Sequence, residues 1–90
     1  MKLTNAQIYT LRRLSGGGKY QLRGDGKKAR ECRPGSGIFT DDVSAPSIPV
    51  LFRLGLVDYV HKGVREHTLF YAVTLTDTGK LAAVTMNIKD

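Results

Sequence analysis

The chain has 90 residues, of which 41% are hydrophobic and 24% charged, a balance that fits one small folded domain with a modest core and excludes wholesale disorder. No apolar run approaches the roughly 18 residues of a membrane helix, and MKLTNAQIYTLRR lacks the apolar centre of a secretory signal, so a cytoplasmic protein is expected. The formal charge is +6, and Cys32 is the one cysteine, which excludes an intramolecular disulfide and leaves a bystander thiol.

In chain order, Leu3, Thr4, Gln7 and Ile8 form a helix-start pattern. Thr4 can accept from the Gln7 amide, Gln7 can reach back to Thr4, and Leu3 can staple onto Ile8. The predicted first helix covers about 5–14, with Ile8, Leu11 and Leu14 facing the core. Gly16, Gly17 and Gly18 stop it. Two extended runs then flank Gly24-Asp25-Gly26, a turn sequence tolerant of positive φ, which predicts a basic β-hairpin over about 19–33. A loop at Pro34, Gly35, Ser36 and Gly37 leads to a short strand or turn at Ile38 and Phe39. Between Gly16 and Asp42 there are seven glycines and no sustained helical period.

A second helix is expected within about 45–54, and its prolines decide between two starts. A helix begun at Ser44 puts Pro49 where its missing amide costs up to roughly 3 kcal/mol, whereas a Ser47 cap puts Pro49 harmlessly in the first turn. The regular part is then 48–54, with Gly55 as its left-handed terminator. Residues 56–62 and 69–75 alternate as a hairpin with its tip near 63–66. Thr76 and Asp77 cap a closing helix over about 77–85 that should carry Leu81 and Val84 onto the core.

The stretch 43–57, VSAPSIPVLFRLGLV, followed by LTDTGKLAA at 75–83, resembles a winged helix-turn-helix domain of small bacterial or phage type. In that family a Val-Ser pair opens the recognition helix, and a Gly-Leu-Val ends it and starts the wing. Here those places are held by Val43 and Ser44, and by Gly55, Leu56 and Val57. The second signature, Leu-Thr, two variable residues and Gly, is carried by Leu75, Thr76 and Gly79. The resemblance extends from Leu3 to about Val84 and implies an α+β fold, winged helix-turn-helix-like, with a β-hairpin or turn in place of a full helix 2. It also implies nucleic-acid binding, with the second helix as reader and 56–75 as the wing.

The residues weigh against catalysis. Ser44, Ser47, Asp41 and Asp42 read as helix-start groups with no histidine base nearby. SGGGK lacks the spacing of a phosphate-binding loop. His61 and His67 fall short of the three or four ligands of a zinc site, so no metal and no cofactor are expected. Charge, by contrast, is polarised: the segment up to Arg33 carries +7 and the remainder −1. Clustering of this kind attracts phosphates or an acidic partner, the plainer alternative being a solvated hairpin. Lys19, Arg23, Lys27, Lys28 and Arg30 on the first hairpin, and Lys62, Arg65 and His67 on the wing, are the expected phosphate contacts. On the second helix only Ser47 and Arg53 can read a base or a nearby phosphate, because Ala45, Pro46 and Pro49 occupy the usual reading positions.

Two functions follow as expectations. The first is a non-catalytic, weakly sequence-specific binder of duplex DNA that regulates transcription. The second is a winged-helix module for a host protein partner, such as a phage inhibitor, or for a homodimer, docking through Val50 and Phe52. Phe52 and Leu54 equally suit the task of closing a small core.

Overall fold

The computed structural model describes residues 2–34 and 40–85. The elements run α1 (Asn5–Ser15), β1 (Lys19–Arg23), β2 (Ala29–Pro34), β3 (Thr40–Ser44), α2 (Ser47–Arg53), β4 (Val57–Tyr59), β5 (Phe70–Leu75) and α3 (Asp77–Thr85). The architecture is α+β: three helices and an antiparallel sheet in the order β3-β2-β1-β5-β4. No helix among the described residues is long and apolar enough to cross a membrane.

The start of α1 is the reciprocal cap read from the sequence. Thr4 Oγ1 accepts from the Gln7 amide at 3.2 Å, and Gln7 Oε1 accepts from the Thr4 amide at 2.9 Å, so two of the otherwise orphaned amides are satisfied. Ile8 and Leu11 are buried, with Leu3 and Leu14 packed at the margin. The register pairs Leu22 with both Ala29 and Tyr71, which sends Tyr20, Leu22, Val73 and Leu75 to one face of the sheet. There they meet Leu11, Ile48, Leu51 and Leu56 in a single cluster. The alternate residues, among them Lys19, Gln21, Arg30, Phe70 and Thr74, turn to the opposite face.

Four expectations need correction. Residues 40–44 form β3, with Ser44 opposite Arg30 and Asp42 opposite Cys32, so Asp41, Asp42 and Ser44 are not helix-start groups and the Val43-Ser44 pair does not open a helix. An exposed edge of β2 offers unpaired amides and carbonyls, and the returning chain satisfies them. The Ile38 and Phe39 segment lies outside the described residues.

Ser47 is not a cap either. Pro46 holds that position at φ −65° and ψ −17°, with no side-chain hydrogen bond, and α2 begins at Ser47 itself. Proline is preset to helical φ, so one turn, with the Ile48 amide donating to the Ala45 carbonyl at 3.1 Å, forms before the helix proper. Pro49 does fall in the first turn. At the other end Gly55 has φ +78°, and the Leu56 amide closes back onto the Leu51 carbonyl at 2.9 Å.

The strands of the hairpin expected over 56–75 are shorter than the alternating pattern suggests. β4 is three residues long, and 60–69 is an irregular connection rather than a continued hairpin. Lys62 turns back onto Asp58 at 3.0 Å, and the Glu66 amide donates to the Tyr71 hydroxyl at 2.8 Å, contacts that a flat ladder does not allow.

Finally, α3 presents a different face. Gly79, Ala82 and Ala83 are buried, whereas Leu81 is 62% and Val84 76% exposed. The small residues are selected by close approach: a Cβ at Gly79 would stand 1.9 Å from the Leu56 carbonyl oxygen.

Candidate functional site

An open groove of about 480 Å³ lies between the β1–β2 turn and the outer side of α2. Lys27 and Lys28 border it on one side, Pro46, Pro49, Val50 and Arg53 on the other, and Phe70 of β5 closes it, with Ala29 and Ser44 between. No carboxylate lines it among the described residues.

The turn that presents the two lysines is built by Asp25. Its Oδ1 accepts from the Lys27 amide at 3.0 Å and from Arg23 Nε at 2.9 Å, while Oδ2 lies 2.6 Å from Arg23 Nη2. The Arg23 guanidinium, and after it the Lys27 amide, hold the Asp25 carboxyl down at about 2, and the same bond raises Arg23. Arg23 is therefore a turn-forming group whose charge is matched two residues away. Lys27, Lys28 and Arg53 differ: all three are exposed and make no ion pair among the described residues.

Arg30 stands beside the groove in a different role. Its Nε donates to Gln21 Oε1 at 2.9 Å, and its guanidinium lies over the Phe70 ring, 4.4 Å from the centroid. Arg30 and Gln21 are paired across β1 and β2, and Phe70 sits opposite Arg23 on β5, so all these side chains share the face away from the core.

The remaining sequence-predicted residues are not gathered here. Lys19 is exposed near the far end of β1, opposite Cys32. Ser47 faces a separate cleft of about 370 Å³, with Tyr9, Arg13, Tyr20 and Glu31. Lys62 pairs with Asp58, and that bond is the main reason the carboxyl is lowered. Arg65 lies over the Tyr59 ring, 3.8 Å from the centroid, and donates from Nη1 to the His61 carbonyl at 3.1 Å. Its Nε is buried without a hydrogen-bond partner. His67 is exposed in the connection, while His61 stacks on Tyr71 at 5.4 Å and 16°. Among the described residues no three His, Cys, Asp or Glu side chains converge as a metal site.

Of the two expected docking residues, Val50 borders the groove but Phe52 does not. Phe52 packs edge-on against Tyr59, with centroids 5.2 Å apart at 72°, and sits beneath Gly26 of the hairpin turn. It belongs to the margin of the core. Sequence reasoning missed Phe70, although the outward position of a large aromatic in the alternating run FYAVTL was a usable signal.

Comparison with known proteins finds no matching family model, no matching curated protein and no matching solved structure.

Proposed function

We propose that the chain is a non-catalytic DNA-binding protein of winged-helix type, a small transcriptional regulator that grips backbone phosphates between its β1–β2 turn and α2. The observation that carries this reading is the convergence of Lys27, Lys28 and Arg53 on one groove, with no ion pair on any of them and no carboxylate in its lining among the described residues. Three such cations attract a polyanion and release its counterions. The order of elements supports the same reading: a first helix, a strand that pairs with the return strand of the wing, a helix ahead of that wing, and a closing helix. In this version β2 and β3 stand where the second helix of a winged helix-turn-helix would be. Base readout is weak, because Pro46, Pro49 and Val50 offer no hydrogen bond to a base edge.

That same lack of readers favours a second reading, a winged-helix module that occupies the nucleic-acid surface of a protein partner. Fluorescence anisotropy with labelled DNA, duplex and single-stranded, over a salt series separates the two. DNA binding predicts a steep loss of affinity with salt. It also predicts that K27Q/K28Q lowers the log–log slope by about 0.7–0.9 for each lysine removed, on every sequence alike. Absent binding at low salt, or a slope unmoved by the double substitution, refutes it.

A further inference from the structure

The groove has an odd composition for a site that only grips a duplex. A duplex offers phosphates to a basic surface and base edges to hydrogen-bonding side chains. Here the cations sit at the rim, and the walls between them are hydrocarbon: Pro46, Pro49, Val50 and Phe70. Apolar walls under a basic rim suit a base that has left its stack and shows a π-face rather than an edge. Resting on the DNA-binding reading, we infer that the groove is a single-stranded DNA site in which an unpaired base lodges against Phe70 while Lys27, Lys28 and Arg53 hold the flanking phosphates.

Two further observations fit this assignment. The Arg30 guanidinium over Phe70 adds a cationic layer to the aromatic, and guanidinium planes and aromatic rings are the two surfaces on which unpaired bases stack. That layer is pre-set, because Gln21 already bonds the guanidinium through its Nε, so little ordering is left for the moment of binding. DNA rather than RNA is taken from the DNA-binding reading on which the inference rests.

The test uses the full chain with a 20-nucleotide single strand of mixed sequence, its duplex, and the matching RNA, all fluorescein-labelled. Expected is tighter binding of the single DNA strand than of either other form. Phe70→Leu should weaken it by roughly 5- to 100-fold, the range for losing one stacked base, and should weaken duplex binding less. The chain contains no tryptophan, so Phe70→Trp places one reporter in the groove and reads the contact independently of affinity or stability. Its emission should be quenched by the single strand and much less by the duplex. Equal or tighter binding of the duplex, or an emission unchanged by bound single strand, overturns the inference while leaving the DNA-binding reading standing. Tighter binding of the RNA overturns the choice of DNA, and absent binding of all three forms removes the DNA-binding reading itself.

Discussion

Gly79→Ala sets two known effects against each other, and the structure decides the sign. Replacing glycine by alanine inside a helix normally stabilises it by about 1 kcal/mol. At this position the added Cβ would lie 1.9 Å from the Leu56 carbonyl oxygen, 2.9 Å from its carbonyl carbon and 3.2 Å from Leu75 Cδ2. Ordinary carbon contacts lie near about 3.5 Å, so α3 must retreat from Leu56 by on the order of 1.5 Å. Neither side yields easily. Leu56 is fully buried, and its carbonyl accepts from the Thr76 amide at 3.1 Å. Thr76 Oγ1 in turn donates to the Gly55 carbonyl at 2.7 Å and accepts from the Gly79 amide at 3.0 Å. Overpacking a tight contact costs about 1–3 kcal/mol or more, and this one strikes backbone, so the high end applies. Net destabilisation of about 2 kcal/mol remains after the helix gain, equivalent to roughly 8–16 °C in Tm for a domain of this size. Urea unfolding followed by far-ultraviolet circular dichroism measures it directly. A variant as stable as the parent would refute the packing of α3 against Leu56, and with it the account of why this helix buries its small residues.

The exposed face of α3 gives a second test: Leu81→Lys and Val84→Lys should each change stability by no more than about 0.5 kcal/mol, whereas Ala82→Asp, at a buried site, should cost at least about 2 kcal/mol in the same unfolding experiment. Reversal of that order would restore the phase expected from the sequence. A third test concerns pH. The Asp25 carboxyl is held at about 2 in the folded chain against about 3.9 when unfolded, so its contribution is complete above the unfolded value and lost as pH falls toward the folded one. The Tm advantage of the parent over Asp25→Asn should therefore be constant above about pH 5 and decline progressively from there to about pH 1. A gap that does not change with pH over that range would mean that Asp25 is not ionised in the turn.

What the sequence revealed follows the range of the interactions involved. The α1 cap links residues three apart, and the β1–β2 turn is set by Asp25 with its immediate neighbours. Both can be read from a short window. β3 exists only because β2 has an open edge, a fact not contained in Thr40, Asp41 and Asp42, whose polar run suits a helix start equally well. α3 carries two stripes at helical spacing, one through Leu81 and Val84 and one through Gly79, Ala82 and Ala83. Hydrophobicity favours the first; the carbonyl of Leu56, 23 positions upstream of Gly79, selects the second. The site divides in the same way. Composition identified Lys27, Lys28 and Arg53 as cations, but their meeting in one groove depends on α2 packing beneath the hairpin.

The fate of the other cations also bears on how the two β-arms act together. Arg65 lies on the Tyr59 ring, and the Tyr59 hydroxyl donates to the Arg23 carbonyl at the base of the hairpin turn. The Gly24 amide donates to the Leu69 carbonyl at 2.8 Å, and a Cβ at Gly24 would meet the Glu66 carbonyl oxygen at 2.0 Å. The 60–69 connection is thus fastened to the hairpin from both of its ends, with Arg65 and Tyr59 forming the clasp. Two arms that reach independently around a partner would need cations at both tips and freedom between them. Here the second arm uses Arg65 to brace the first, and Lys62 already pairs with Asp58. The 60–69 connection accordingly serves as a support that holds the β1–β2 turn over α2, and Lys27, Lys28 and Arg53 are the cations around the groove that make no ion pair among the described residues.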